Sequence, residues 1–232
     1  MVYLTGDTHG DVISRVSKRN CKKNNLPILQ NGDILIVLGD LGLVWSDKAD
    51  ATLKYTNKYL NDRNITLLSV LGNHENYDRI ENLPQTNFYG GKVYRVSSNI
   101  SFMKNGELFN IEGIKFAVFG GAKSIDKVYR KEGVSWWSQE IPSKDTMEYF
   151  VKNLDKINTE EYYLLTHTTN YDQVKRILWH DSPKLDDVSR FLEFIKYQYR
   201  FKHHYFGHFH SDREYENSTL LYESIVVLDK ED

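Results

Sequence analysis

The chain has 232 residues and a formal net charge of −2, with 40% hydrophobic and 27% charged residues. This length allows one large α/β domain or two small ones, each able to bury a core. The near-neutral charge argues against general attraction to nucleic acid or anionic membranes, and the single cysteine, Cys21, excludes an intramolecular disulfide framework.

We expect no segment for secretion or membrane insertion in this sequence. The first apolar run is broken at once by Gly6 and Asp7, which leaves no room for a signal peptide. The longest aliphatic run, residues 34–38, is far shorter than the roughly 20 residues that span a bilayer. We therefore expect a cytoplasmic protein without a membrane partner. Since no linker or internal repeat is visible, we expect a single domain over residues 1–232.

The first third of the chain alternates apolar strands with helical segments. A short apolar run begins at Val2, and two buried strands are predicted at residues 33–38 and 65–71. Helices are predicted between them, at residues 12–25 and 47–63. Three such β-α-β steps predict a parallel sheet covered by helices on both faces.

The middle of the chain has a different pattern. From residue 92 to 121 apolar and polar residues alternate, with Asn105–Gly106 and Glu112–Gly113 at the breaks. These dipeptides favour tight hairpin turns, so this stretch is predicted to form antiparallel strands. Gly120–Gly121 opens a long loop, residues 122–142, which contains basic and aromatic side chains.

The last third returns to strands and helices. Ser143 is predicted to cap a helix that runs to about residue 156, and a second helix is predicted at residues 185–199. Strands are predicted at residues 161–167 and 204–210, and a final strand at residues 220–228.

Five predicted strands end in side chains that can bind a metal ion. In chain order these are Asp7 and His9, Asp40, Asn73 and His74, His167, and His208 and His210. The carboxyl ends of strands in open α/β sheets converge on one crevice, so we expect these groups to meet. Taken singly, each is more typical of a turn residue, a helix cap or a solvated histidine.

The chemistry of this set indicates a metal site. It offers carboxylates, imidazoles and one amide oxygen but no thiolate, which suits Mn, Fe, Zn, Co or Ni and argues against Cu(I) or an iron–sulfur cluster. Two such ions can activate a shared water and clamp the oxygens of a phosphate.

The order of these motifs resembles the calcineurin-like metallophosphoesterases. The resemblance runs from residue 6 to residue 210 through Asp-x-His, Gly-Asp, Gly-Asn-His-Glu, His and Gly-His-x-His. It implies an α/β fold in which a β-sandwich of two mixed sheets is flanked by α-helices. It also implies hydrolysis of a phosphate ester by a hydroxide activated between two metal ions, with Mn, Fe or Zn expected.

The resemblance assigns a role to each position. Asp7, His9 and His210 would hold one ion, and Asn73, His167 and His208 the other, with Asp40 bridging both. His74 would bind no metal and would act as the catalytic residue that protonates or stabilises the leaving oxygen, which suits an imidazole.

The substrate is predicted from where the chain departs from its relatives. Phosphoprotein phosphatases of this family carry Asp-Arg-Gly soon after the bridging Asp, whereas this chain continues from Gly39–Asp40 into Leu-Gly-Leu-Val-Trp. We therefore expect a small phosphodiester or nucleotide substrate. A phosphoprotein phosphatase and a nuclease are enzymatic alternatives, and a phosphate-binding module with little turnover is the non-enzymatic one. Nucleic acid is not favoured as a partner because the composition indicates no wide basic surface.

The 122–142 loop is predicted to act as a substrate lid. Trp136 and Trp137 are either substrate contacts or core residues. Arg130 either clamps a phosphate oxygen or is a solvated surface residue. Outside the loop, Asp11 either orients a ligand histidine or caps the following helix, and the cap is the favoured prediction. Glu75 is predicted to bind backbone in its own turn.

Overall fold

The first sheet is built on three strands whose residues are apolar and almost fully buried. The computed structural model of the protein describes residues 1–45, 50–179 and 186–229. In it β1 (Val2–Thr5), β2 (Ile34–Val37) and β3 (Thr66–Ser69) lie side by side and parallel. Strands covered on both faces read as continuous apolar runs, which is why these three were visible in the sequence.

Four further strands complete this sheet. They are β4 (Gln85–Phe88), β5 (Gly91–Arg95), β6 (Ile100–Met103) and, from the end of the chain, β13 (Ile225–Leu228). The strand order is β13-β1-β2-β3-β6-β5-β4, with β6 parallel to β3 and the outer strands antiparallel. The sheet is therefore mixed.

The second sheet has six strands in the order β11-β12-β10-β9-β8-β7. Their bounds are β7 (Leu108–Ile111), β8 (Ile114–Phe119), β9 (Tyr162–Thr166), β10 (His203–Phe206), β11 (Arg213–Tyr215) and β12 (Ser218–Leu220). Strands β8, β9 and β10 are parallel to one another, so their carboxyl ends lie at one edge.

The two sheets pack face to face and share a core. Leu4, Ile36 and Leu68 of the first sheet join Phe116 and Leu165 of the second in one buried cluster. This confirms the predicted sandwich of two mixed sheets. It also corrects the prediction that helices cover both faces of the parallel sheet, because the second sheet covers one of them.

The helices lie on the outer faces of the sandwich. Their bounds are α1 (Val12–Val16), α2 (Lys18–Lys23), α3 (Asp50–Asn61), α4 (Tyr77–Glu81), α5 (Lys144–Leu154), α6 (Tyr171–Leu178) and α7 (Asp187–Gln198). Leu60 of α3 and Ile80 of α4 pack on the first sheet, and Phe150 of α5 and Leu192 of α7 pack on the second.

Two helix predictions need correction. The single helix expected at 12–25 is two short helices, because Ser17 adopts an extended conformation and its hydroxyl accepts a hydrogen bond from Asn20 N as the cap of α2. Helix α6 was not predicted. The predicted starts at residues 47 and 185 lie outside the described residues, and the helix capped by Ser143 is confirmed.

The two predicted hairpin turns have different outcomes. Glu112 and Gly113, both with positive φ, connect β7 to β8 as expected. Asn105–Gly106 is no hairpin, because it carries the chain from β6 in the first sheet to β7 in the second. The Asn105 carboxamide oxygen instead accepts a hydrogen bond from Gly120 N at 2.7 Å.

The strand predicted at residues 220–228 is also divided. Leu220 ends β12 in the second sheet and Ile225 begins β13 in the first. Between them the backbone N–H groups of Tyr222, Glu223 and Ser224 all donate to the Asp212 carboxylate, which holds the chain in a turn. An apolar run alone does not reveal this crossing between sheets.

The segment from residue 122 to 142 contains no strand of the sheets and no α-helix. Two 3₁₀ turns, Lys127–Tyr129 and Ser138–Glu140, are its regular elements. Within the described part of the chain, no helix has the length and apolar character needed to cross a membrane.

Candidate metal centre

The predicted ligands meet where the carboxyl ends of β1, β2 and β3 face those of β9 and β10. Two groups of side chains there are close enough to share an ion, with ligand atoms within 4.8 Å of one another. The groups are Asp7, His9 and His210, and Asp7, Asp40 and His167. The convergence expected from strand topology is therefore present in the structure.

The first group lies at the outer side of the centre. His9 Nε2 is 3.1 Å from His210 Nε2, and His210 Nε2 is 3.1 Å from Asp7 Oδ2. Both histidines are exposed, whereas Asp7 is 1% exposed. This group can receive an ion from solvent without any rearrangement of the core.

The second group is buried. His167 Nε2 lies 2.9 Å from Asn73 Oδ1 and 3.3 Å from Asp40 Oδ1. The His208 ring lies against the His167 ring, with centroids 4.9 Å apart, and His208 N donates to Asp7 Oδ1. All seven predicted ligands therefore belong to one cluster. Asp7 belongs to both groups, and the assignment of Asp40 as the bridging carboxylate stays a prediction.

The charges in this cluster are strongly coupled. Burial lowers the pKa of His167, but the Asp40 and Asp7 carboxylates outweigh it and raise that pKa to about 9. Burial raises the pKa of the Asp40 carboxyl group. The neighbouring His167 and His74 outweigh burial and hold that pKa well below its usual range. Burial lowers the pKa of His208 to about 4. The two carboxylates therefore favour a positive charge at the position of His167.

The side chains of this cluster fit the binding of divalent metal ions. Asp7 Oδ2 is buried, and His210 Nε2 lies 3.1 Å from it, so this carboxylate oxygen faces another candidate ligand of the cluster. His167 Nδ1 lies 2.7 Å from Leu38 O, a contact that leaves Nε2 facing the other ligands. Cys21 is buried elsewhere, and the donor set holds only nitrogen and oxygen. This chemistry suits Mn, Fe or Zn.

The backbone at the centre is held in an unusual conformation. Nine described non-glycine residues have positive φ, and four of them are predicted ligands, namely His9, Asp40, His208 and His210. Left-handed backbone is disfavoured for such residues and persists where the surrounding structure enforces it, most often at functional sites. The loops after β1, β2 and β10 therefore adopt a strained backbone conformation that orients these side chains towards the centre.

His74 lies beside the cluster, and the structure reveals its partner. Its backbone N–H donates to Asp40 Oδ1 at 2.7 Å. On its ring, Nδ1 is 2.9 Å from Arg130 Nη1 and Nε2 is 3.1 Å from Arg130 Nη2. Asp126 Oδ2 accepts from Arg130 Nε and Nη2 and holds the guanidinium in place. Burial lowers the pKa of His74, and the Arg130 charge lowers it further against the pull of Asp40.

The two tryptophans of the 122–142 loop have different surroundings. Trp136 is half-buried, with the Lys127 ammonium 5.2 Å above its ring. Trp137 is 3% exposed, packs edge-on against Trp45 and donates its indole N–H to Asp78. This burial favours the core alternative for Trp137.

Sequence reasoning missed a buried chain of hydrogen bonds behind Asn73. Asn73 Nδ2 donates to Ser124 Oγ at 3.0 Å, and Ser124 Oγ donates to Glu140 Oε2 at 2.6 Å. Ser124 N donates to Glu140 Oε1, so one carboxylate joins the two ends of the loop. Because its nitrogen is engaged in this way, the Asn73 amide turns its oxygen towards His167. No motif or spacing in the sequence indicates that Ser124 and Glu140 pair.

Two other acidic residues support the loops around the centre. Asp11 Oδ1 accepts from Ser14 N, which confirms the predicted helix cap. Glu75 is buried and accepts from Leu41 N at 2.7 Å, so it braces the neighbouring Asp40 loop rather than its own turn. Burial raises the pKa of Glu75 well above its usual range, and the Asp40 carboxylate adds to this.

Comparison with known proteins agrees with this geometry. A family model described as calcineurin-like phosphoesterase matches residues 1–212, a range that contains every predicted ligand. Among solved structures, the chain is similar to a phosphopantetheinyl hydrolase from Mycobacterium tuberculosis. The two are 15% identical, the match covers 95% of this chain and 87% of that chain, and the TM-score is 0.44. Comparison with curated proteins gives no match.

Proposed function

The chain belongs to the calcineurin-like phosphoesterase family, and we propose that it uses two metal ions to hydrolyse a small phosphodiester or nucleotide. The observation that carries the proposal is the cluster of seven nitrogen and oxygen ligands with a non-ligand histidine beside it. A site that held metal only for stability would not need that histidine.

We assign the ion-holding residues as the family resemblance implies. Asp7, His9 and His210 would hold one, and Asn73, His167 and His208 the other, with Asp40 shared. When bound, divalent ions lower the pKa of a coordinated water and offset the negative charge of the phosphate. The protein contributes ligands that are already fixed by backbone conformation and by the Ser124–Glu140 pair, so little has to be reordered on binding.

His74 and Arg130 act on the substrate itself. The Arg130 guanidinium, already oriented by Asp126, carries a positive charge and a planar set of donors suited to phosphate oxygens. His74 is held beside the centre by its backbone hydrogen bond to Asp40, with its ring free of the ligand set. We assign Arg130 to binding of the phosphate and His74 to proton transfer to the leaving oxygen.

The space beside the centre favours a small substrate. A cavity of about 550 Å³ adjoins Asp7 and His9. Its wall includes Asn20, Asn24 and Tyr222, whose ring stacks on His210 with centroids 4.8 Å apart. This volume lies in the range of small-molecule sites. The polar walls suit a phosphate ester whose organic part carries hydroxyl groups more than one with a long apolar chain.

A panel of substrates tests the proposal. Chelator-treated protein would be given Mn²⁺ and assayed with an aryl phosphomonoester, an aryl phosphodiester, cyclic nucleotides, a dinucleoside polyphosphate, a phosphoserine peptide and single-stranded DNA. We expect metal-dependent turnover that is highest on the diesters or nucleotides. Highest activity on the peptide or on DNA would favour the phosphatase or the nuclease, and no turnover on any substrate would favour a binding module.

A further inference from the structure

A second cavity lies away from the metal centre, between the helix pair α6–α7 and the second sheet. It has a volume of about 320 Å³, and no metal-centre ligand lines it. We call it the helix-pair cavity and define it by Gln173 and Arg176 of α6, Leu192 and Lys196 of α7, and Tyr215 of β11. Its size is that of a small-molecule site.

The mouth of this cavity is positively charged. Arg176, Lys196 and Arg200 line it and are exposed, while Glu216 is the one carboxylate among its described lining residues. None of the three cations forms an ion pair within the described part of the chain, in contrast to Lys175 on the same helix, which pairs with Asp172. Unpaired cations around a concave surface attract an anion, and arginine favours phosphate oxygens.

The interior contains polar groups without partners. Gln173 is 4% exposed, and its Nε2 forms no hydrogen bond to any described residue. The Tyr215 hydroxyl is also buried without a partner among these residues. A buried donor without an acceptor destabilises the folded protein, so such groups are expected to have a partner in a bound ligand or water. Leu164, Leu192 and Phe201 add an apolar wall.

We propose that the helix-pair cavity binds a small organic phosphate. Its phosphate group lies between Arg176, Lys196 and Arg200, and its organic part lies on the apolar wall. Oxygen atoms of the ligand accept hydrogen bonds from Gln173 Nε2 and the Tyr215 hydroxyl. This site goes beyond the proposed hydrolysis and does not depend on it, because no residue of the metal centre takes part.

Titration calorimetry with phenylphosphonate tests the site. The carbon–phosphorus bond of this probe is not a phosphate ester, and chelator removes the contribution of the metal centre. We expect one saturable site per chain in the presence of chelator. The triple variant Arg176→Ala/Lys196→Ala/Arg200→Ala is expected to bind at least tenfold more weakly.

A matched variant controls for overall charge. Arg19→Ala/Lys22→Ala/Lys23→Ala removes the same charge from exposed positions of α2 that line none of the cavities described above. We expect its affinity for phenylphosphonate to stay within twofold of wild type. An equal loss in both triple variants, or no binding in the presence of chelator, would overturn the proposal.

Gln173→Leu separates binding from folding. If the Nε2 donor serves a ligand, the variant should bind phenylphosphonate about tenfold more weakly, while the Tm of the unliganded protein stays unchanged or rises. A lower Tm with unchanged affinity would mean that Gln173 stabilises the fold, and it would remove this residue from the site.

Discussion

At the scale of single residues, the centre separates two tasks between neighbours in the chain. Asn73 turns its amide oxygen towards His167, and the next residue, His74, directs its ring to Arg130 instead. In the proposed site, this one turn of backbone would supply both a metal ligand and a group that faces the substrate. This separation makes the two functions independently testable.

His74→Ala should leave the bound metal almost unchanged and lower turnover strongly. General acid catalysis contributes about 10²- to 10⁴-fold, so kcat for an alkyl phosphate ester should fall by that amount. The loss should shrink for a nitrophenyl ester, whose leaving oxygen needs less help from a proton. Steady-state kinetics on both esters, with elemental analysis of the variant, measure this. Equal losses on both esters would show that His74 stabilises phosphoryl oxygens, and no loss on either would contradict its catalytic role.

Ser124→Ala should weaken binding of the ion held by Asn73. Without the hydroxyl the amide loses the contact that fixes its orientation, and groups that orient ligands typically contribute about 10- to 100-fold in metal affinity. Titration calorimetry should resolve one weakened and one unchanged site, and Ser124→Thr should restore part of the loss.

A buried serine elsewhere provides the control. Ser101 is 1% exposed and its hydroxyl has no partner among the described residues, so Ser101→Ala removes a buried hydroxyl without affecting the centre. We expect normal metal binding in this variant. Wild-type affinity at both sites in Ser124→Ala would contradict the role given to Ser124.

The convergence of the candidate ligands could be predicted from sequence, whereas the residues that support them could not. Each ligand follows an apolar strand, and strand topology brings such ends together whatever the details of packing. The contact of Ser124 with Glu140 lies within an irregular loop, and the contact of Arg130 joins that loop to His74, which is distant in sequence. No periodicity or spacing encodes them. Trp137 shows the same limit, because a loop position did not reveal its burial.

At the scale of elements, the loop after β2 has a glycine, Gly39, where it passes close to the His167 ring. Gly39 has φ +93°, and a Cβ there would lie 2.2 Å from His167 Nδ1. Gly32 has nearly the same φ, +88°, but faces open space. Both substitutions to alanine therefore carry the same backbone cost, and only Gly39 adds a clash.

Gly32→Ala should lower the free energy of unfolding by about 1 kcal/mol, the usual cost of alanine in left-handed backbone. Gly39→Ala should lower it by about 2–4 kcal/mol, because overpacking adds to that cost. It should also reduce metal content, since the clash displaces the His167 ring. Urea unfolding of both variants measures the difference. Equal values would mean that the approach to His167 does not constrain this loop.

The elements could be predicted where burial of apolar residues determines them. They could not be predicted where a hydrogen bond from a polar side chain ends a helix or turns the chain. Strands β1, β2 and β3 followed from apolar runs. The division of residues 12–25 at Ser17, and the crossing between sheets at Asn105–Gly106, depend on single hydrogen bonds such as that from Gly120 N to Asn105. Local patterns do not show which of two possible partners a polar side chain will choose.

At the scale of the whole molecule, acid should destabilise the fold partly through His204. Burial lowers its pKa to about 3, helped by His203 and Lys196, whereas an unfolded histidine titrates near 6.5. The unfolded chain then binds the extra proton, so this contribution is complete above about pH 6.5 and is lost as pH falls towards 3.

Between pH 7 and pH 5 this amounts to about 2 kcal/mol, and His204→Gln should remove it. Urea unfolding at both pH values in the presence of chelator measures the loss. The control His203→Gln should change the pH dependence less, because the buried His204 remains in that variant. The same pH dependence in His204→Gln and wild type would contradict the assignment.

The central claim, that two ions are needed for hydrolysis, is tested most directly by one titration. Mn²⁺ would be added stepwise to chelator-treated protein while bound metal and hydrolysis of bis(4-nitrophenyl) phosphate are followed together. We predict two ions bound per chain, with activity following the doubly loaded form. Full activity with one ion bound, or activity that persists without metal, would contradict the account.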